Sequence, residues 1–490
     1  MKKDFDPLIR LPPEIWLKIF MKNTAFHDLS HYRLKTARHC SQVCQLWRRI
    51  LLSSSSTWGR LIALDELGHG TYMWTVLVLT RAGNALLWIH GCISYSTWDF
   101  VRLIVDHKWE NVQIFDVRHS HQVPRISPET SAYLEKPAPN LGVFALRHED
   151  DIHPAFRKPF IQNMFSNFAP RLRSFDISSS TFDVNSTLPW IPNLHTIHFH
   201  EEYDRDNIFT VLNAMPRVEF IHITLRAWSD EPLTPDFTPH LPRLRGLEVI
   251  GGDLPDALPF LELIKASDQM GFLVVDIPDR SPDVQNLSSR YHHALVPFIV
   301  SYMKHCAPRF LTLETDDRFR IFDHPPSTSG PYFETGSLDV HLFLDSHGHS
   351  ALADLAASGS FSSVEQLLVD GGDKHEALIP LYEAFTSVTE LEASYLHIPT
   401  LHADREQKQS VLFPKLRVLR ISYDATRAPR NTSYLSHVFD YVEYRARVGL
   451  PLSCLDLSDC RRLELSDGNR ERLDKLTGLT VEWPSPCSPI

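Results

Sequence analysis

Twenty-six histidines and seven cysteines are the residues of this 490-residue chain whose types could do chemistry. The densest group is His198-x-His200 followed by Glu201 and Glu202. In an extended stretch His198 and His200 share one strand face, and His222 could stand on the adjacent strand. Imidazole and carboxylate are zinc ligands in type. A zinc site, however, needs converging donors and a second layer of groups that orients them, and neither is visible in the sequence. Exposed polar strand residues are expected there instead, with no metal and no cofactor. The cysteines stand at 40, 44, 92, 306, 454, 460 and 487, with no C-x-x-C pair. That pattern predicts reduced, packed thiols rather than disulfides or metal ligands. Catalytic signatures are missing: no G-x-S-x-G, no phosphate-cradling P-loop and no G-x-G-x-x-G. His375-Glu376 lacks the second His of H-E-x-x-H, and the pair Asp316-Asp317 has no supporting context. The chain is therefore expected not to be an enzyme.

The elements that would carry these residues are more informative. Residues 11–22 read LPPEIWLKIFMK. Pro12 and Pro13 suit the start of a helix, where their missing N–H groups are not needed. Ile15 and Ile19 sit four apart, as do Trp16 and Phe20, so the helix is apolar over a wide stripe. A second helix is expected over about 30–39. A third is marked by Val43, Leu46, Trp47, Ile50 and Leu51 at i, i+3, i+4, i+7, i+8, and Ser53–Ser56 should end it. Three short helices bury little, because one Trp contributes only about 1.5–3 kcal/mol or slightly more. Such a unit must lean on the next domain or cover its stripe with a partner.

Beyond residue 138 a phrase recurs, Pro-x-apolar-x-x-apolar-x-apolar. It reads PNLGVFAL from Pro139, PRLRSFDI from Pro170, PNLHTIHF from Pro192, PRVEFIHI from Pro216, PRLRGLEV from Pro242 and PKLRVLRI from Pro414. Its alternating end predicts a strand, and segments such as NIFTVLNAM, PFLELIKA and LSHVFDYVEYRARV between copies predict helices. Strand, turn, helix and turn at a period in the twenties is the pattern of leucine-rich repeats. TYMWTVLVLT, ALLWIH and NVQIFDV, within 66–135, read as less regular first repeats or a capping unit.

The length alone implies two to three domains or one repeat array. Apolar residues at 43% and charged residues at 22% exclude a chain disordered throughout. The net charge of −11 argues against a general nucleic-acid binder. Residues 1–60 hold eleven Lys/Arg against four Asp/Glu, a charge of +7, so the rest carries −18. No secretory leader and no run of about eighteen apolar residues is present, so no membrane association is expected. Residence is expected to be intracellular, cytoplasmic and/or nuclear, and the sequons at Asn185, Asn286 and Asn431 are expected to stay unmodified.

Leu11-Pro12-Pro13-Glu14-Ile15, Ile19-Phe20, Val43-Cys44, Trp47-Arg48 and Trp58, in that order and spacing, resemble an F-box. With the repeats behind it, the chain resembles F-box proteins with irregular leucine-rich repeats, as in large fungal families. The implied fold is α/β: an N-terminal three-helix F-box over 1–60, irregular first repeats or a cap over 61–138, and a repeat solenoid with a curved parallel sheet over 139–483. A frayed tail over 484–490 would follow. The family's F-box docks on the Skp adaptor of cullin–RING ubiquitin ligases. Carried over, the contact falls to Leu11, Pro12, Ile15, Ile19, Phe20, Val43, Cys44 and Trp47. Such adaptors are acidic, which gives the +7 segment a reason. Through the adaptor the chain would meet a cullin, and the solenoid would hold a protein target the sequence does not name. Asp176, His198, His222, Glu248, Arg420 and Asp456, lying between the last two apolar positions of their phrases, would line the concave face, with Phe220 as an aromatic hot spot. Two departures stand out. The connection Asn23–Tyr32 is long. The usual Asn or Cys after the strand is replaced by Ser180, Glu202, Arg226, Gly252 and Asp424, with only Cys460 fitting. A Skp-bound scaffold without a ligase role, and an enzyme on a repeat scaffold, remain alternatives at this point.

Overall fold

The structure, a computed structural model, describes residues 11–22, 33–68, 70, 72–120, 134–148, 163–177, 186–201, 203, 205–225, 239–278, 284–315, 319–323, 337–342, 346–371, 375–402, 411–422, 434–460, 471–473 and 475–483. Ser180, Glu202, Arg226 and Asp424, the 23–32 connection and the tail 484–490 lie outside them. The chain packs as two compact units, Met1–Arg243 and Leu244–Ile490.

The first unit opens with helices α1 (Pro13–Lys22), α2 (Arg33–Val43), α3 (Gln45–Ser53) and α4 (Ser55–Arg60). The carbonyl of Pro12 accepts from the N–H groups of Ile15 and Trp16, so the prolines start α1 as their chemistry requires. Trp16 and Phe20 turn inward onto Ile50 and Leu51 of α3. Cys44 caps α3 by accepting from the Trp47 N–H at 3.5 Å. The serine run interrupts the helix for only one residue. Ser54 ends α3, and its hydroxyl accepts from Thr57 N–H and restarts the chain as α4. Four helices therefore stand where three were expected, because a serine that breaks a helix is also a good N-cap.

Next come β1 (Ile62–Ala63), α5 (Leu64–Gly68), α6 (Tyr72–Ala82), β2 (Leu87–Ile93), α7 (Trp98–His107), β3 (Val112–His119), β4 (Val143–His148), β5 (Ser174–Ile177), β6 (Thr196–Phe199) and β7 (Phe220–Leu225). Each strand pairs in parallel with the next. Of the segments read as first repeats or a cap, TYMWTVLVLT falls on α6, ALLWIH on β2 and NVQIFDV on β3. One register line, Phe115, Phe144 and Phe175, fills the core as stacked rings 5.7 and 5.8 Å apart. The first apolar residue of each phrase is sealed, including Leu141, Leu172, Leu194 and Val218.

The second unit runs β8 (Gly246–Gly251), β9 (Phe272–Asp276), β10 (Phe310–Thr315), β11 (Phe319–Phe322), β12 (Ser337–Leu342), β13 (Gln366–Gly371), β14 (Glu390–Ser394), β15 (Val418–Ser422), β16 (Cys454–Asp456) and β17 (Thr480–Glu482). Its pairings give the spatial order 8-9-12-11-10-13-14-15-16-17. All are parallel except β10–β11 and β11–β12. The purely parallel sheet expected from the repeats thus contains an antiparallel excursion. Residues 316–318 between β10 and β11 are too few for a parallel crossover, which needs a dozen or more. Helices Leu254–Leu263, Val284–Cys306 and Ser346–Ala357 pack side by side.

Ahead of the strands the backbone forms a ladder of its own. Gly142 N–H donates to Gln113, Arg173 to Gly142, His195 to Arg173 and Glu219 to His195, at 2.7–2.8 Å. The second unit repeats the device from Arg309 through Glu365, Thr389, Arg417 and Ser453 to Thr480. One residue ahead of each strand thus finds its partner in the preceding repeat, as buried backbone groups must.

Candidate functional site

The first candidate surface is on α1. Leu11, Ile15 and Ile19, each four apart, are 39%, 38% and 46% exposed, and Val43 at the end of α2 is 59% exposed. Pro12 is exposed, and Cys44 and Trp47 are half-buried. Phe20, expected on this face, is instead 5% exposed and belongs to the module's own core. The reason is Trp47, whose ring lies 4.7 Å from that of Trp16 and 5.3 Å from that of Phe20. The wide stripe of α1 thereby splits in two. Trp16 and Phe20 close on α3, and Ile15 and Ile19 are left outward. The core under that face is small, Trp16, Phe20, Ile50 and Leu51, and the buried indole N–H groups of Trp16 and Trp47 find no acceptor among the described residues. An exposed aliphatic row over so small a core is the chemistry of a docking surface.

The module is fastened to the first repeats. Trp58 is buried, donates its indole N–H to Leu51 O at 2.8 Å and meets Trp74 of α6 edge to face at 6.2 Å. Arg81 lies over the Trp58 ring and Arg60 over Trp88.

The second candidate surface is the sheet face turned away from the phenylalanine line. Register places Asp116, Ala145, Asp176, His198 and His222 side by side on β3 to β7. Three predicted residues, Asp176, His198 and His222, therefore do come together, and the His198 and His222 rings stack at 4.0 Å. They are not free surface groups. Asp176 and His222 are buried. Arg147, two residues beyond Ala145, donates to Asp176 at 2.6 Å and to Asp116 at 2.9 Å. His200 donates to the other oxygen of Asp176 at 2.8 Å. Burial alone would raise the Asp176 carboxyl, but His198, the His200 hydrogen bond and Arg147 outweigh it and hold the group below the usual carboxylate range. Burial, together with His222, drives His198 well below the usual imidazole range.

The same clamp recurs in the second unit. Arg420 bridges Asp456 at 2.8 Å and Glu392 at 3.2 Å. Arg320 grips both oxygens of Asp339 at 2.7 Å and reaches Glu314 at 3.1 Å. The predicted Arg420 is exposed, Asp456 is buried, and Glu248 on β8 is half-buried. Phe220 is half-buried beside Thr196 in the register. Sequence reasoning missed Asp116, Arg147, Arg320 and Glu392. Arg147 had a visible signal: it is the last alternating position of VFALRH. Among the described residues, no group of three or more His, Cys, Asp or Glu is arranged to hold a metal ion, and no helix is long and apolar enough to cross a membrane.

A small helical unit with an outward aliphatic row, backed by strand-and-helix repeats, is the make-up of a protein-interaction module. Residues 8–63 match the F-box-like family. The chain thus carries an F-box-like domain at its front, with leucine-rich-repeat-like α/β units behind it. No curated protein matches the chain. Among solved structures, it is similar to the leucine-rich repeat-containing protein LegL7 from Legionella pneumophila, at 13% identity over 64% of this chain and 82% of that one, with a TM-score of 0.26.

Proposed function

We propose that this chain is a substrate-receptor subunit of a Skp–cullin–F-box ubiquitin ligase. The F-box-like domain holds a Skp-type adaptor through Leu11, Pro12, Ile15, Ile19 and Val43, flanked by Cys44 and Trp47, with Phe20 shaping the row from beneath. The repeat strands hold the target through the accessible His198 and Phe220 in the first unit or Glu248 and Arg420 in the second, with the buried Asp176, His222 and Asp456 positioning that face from behind. The chain supplies no catalytic group of its own. It raises the effective concentration of target lysines near the ubiquitin-loaded enzyme, and proximity does the rest. The observation that carries this reading is the coincidence of the F-box-like match over 8–63 with the outward Leu11–Ile15–Ile19 row.

The experiment is co-purification of the full chain with a Skp-type adaptor and cullin, wild type against Ile15→Asp/Ile19→Asp. Both positions are solvent-facing, so the melting temperature should hold while capture of the adaptor falls at least tenfold. Undiminished capture would sink the proposal. Adaptor without cullin in the wild-type complex would convert it to a scaffold role.

A further inference from the structure

Helix α2 runs Arg33–Val43, and the first N–H groups of any helix have no acceptor within it. Two of them are satisfied from far away in the chain. The Glu66 carboxylate accepts from Leu34 N–H through Oε1 at 3.1 Å and from Lys35 N–H through Oε2 at 2.9 Å. A bidentate carboxylate at a helix start makes charge-assisted bonds and meets the positive end of the helix dipole. Arg33 and Lys35 add favourable charge beside it.

Glu66 sits on a fixed platform. It belongs to α5, whose Leu64 and Leu67 are buried. Its neighbour Asp65 accepts from Cys92 N–H of β2 at 3.0 Å. Strand β1, just before α5, pairs with β2 through Ile62–Ile89 and Ala63–His90. An unbroken path therefore runs from the start of α2 through one carboxylate to the first strands of the repeat sheet. Helix α2 packs along α3, which supplies Trp47 to the aromatic cluster under α1.

We propose that Glu66 is a positioning residue: carried by the first repeat, it caps α2 from 32 residues downstream and fixes the orientation in which the F-box-like domain presents its docking row. The positioning role rests on the docking reading above, whereas the capping role does not. In a proximity mechanism that orientation sets where a bound target stands relative to the transferred ubiquitin.

The test uses the full-length chain, wild type, Glu66→Ala and Glu66→Gln, by hydrogen exchange and by binding to a recombinant Skp-type adaptor. In Glu66→Ala the Leu34 and Lys35 amides should exchange roughly 5- to 30-fold faster, as for a lost cap. Amides of β3 to β6 should keep their wild-type rates, which a general loss of stability would not allow. Glu66→Gln, with one remaining acceptor oxygen, should recover part of the protection, and adaptor affinity should follow the same order. Unchanged exchange at both amides in both variants overturns the capping. Faster exchange with unchanged adaptor affinity overturns the positioning. A wild-type chain that binds no adaptor defeats the docking reading, yet the exchange rates still decide the cap.

Discussion

Ile19 and Phe20 are adjacent in sequence and opposite in role. Ile19 faces water, and Phe20 closes against the Trp47 ring. Phe20→Ala should destabilise the chain by about 3–5 kcal/mol in urea unfolding, whereas Ile19→Asp should stay within about 0.5 kcal/mol of wild type. Equal effects would mean that the stripe is not divided as described. Periodicity shows two i,i+4 pairs on α1 and nothing about which pair turns outward; only the placement of Trp47 on another helix decides that. His90 on β2 is a second case that the sequence does not mark. Burial, with Arg33 nearby, lowers its imidazole to about 3 from an ordinary 6.5. Between those values the unfolded chain binds a proton that the folded one refuses, so stability falls as pH drops below about 6.5. From pH 7 to pH 5 this group should remove about 2 kcal/mol of stability. Glu, Asp and other His groups titrate too, so the check is the difference between wild type and His90→Gln in urea midpoints at the two pH values. Identical pH slopes would refute it.

At the scale of elements, the repeat phrase made the strands and their sealed leucines legible, because alternation and a recurring proline are local signals. Register was not local. Most bonds of the acid–arginine–acid clamps join residues 19 to 36 positions apart, for example Arg147 with Asp176 and Arg420 with Asp456. No pattern within one repeat names such a partner. The reversal at β10 to β12 was also hidden, since FRIF alternates as any strand does. The sequence shows that the usual Asn is missing after the strands, but not the main-chain bonds ahead of them, which any residue but proline can make. The clamps differ in environment, and this gives a contrast. Arg147→Met strands the buried Asp176 with only histidine partners and should cost about 2–3 kcal/mol. The arginines are similarly exposed, 39% for Arg147 and 46% for Arg420, but Asp456 also accepts from Ser458 N–H at 2.9 Å and so keeps a main-chain donor when Arg420 is lost. Arg420→Met should cost less than about 1 kcal/mol. Chemical denaturation of both variants measures the pair, and a larger loss for Arg420→Met would show that the partners left to the carboxylate do not set the strength of these clamps.

Over the whole molecule the helical front and the charge were legible in the sequence, but not the division into units at residue 243, since PRLRGLEV spans that point. Charge is the property that local structure does not use up. Lys18, Lys22, Arg38, Arg48 and Arg49 are all exposed on the F-box-like helices, while the chain as a whole carries −11. The outward row is aliphatic, and on the docking proposal its contribution to binding should be insensitive to salt. An acidic adaptor should therefore be steered to the row by the basic helices and retained by the isoleucines. Raising salt from about 50 to about 500 mM shortens the screening distance from over 10 Å to under 5 Å. The association rate constant should fall by about tenfold across that range, while the dissociation rate changes little. Arg48→Glu/Arg49→Glu should flatten the salt dependence without lowering the melting temperature. Stopped-flow or surface-plasmon kinetics with wild type, this variant and Ile15→Asp/Ile19→Asp separates the two contributions. If the wild-type association rate ignores salt, the basic front plays no part in finding its partner, and the aliphatic row alone accounts for the complex.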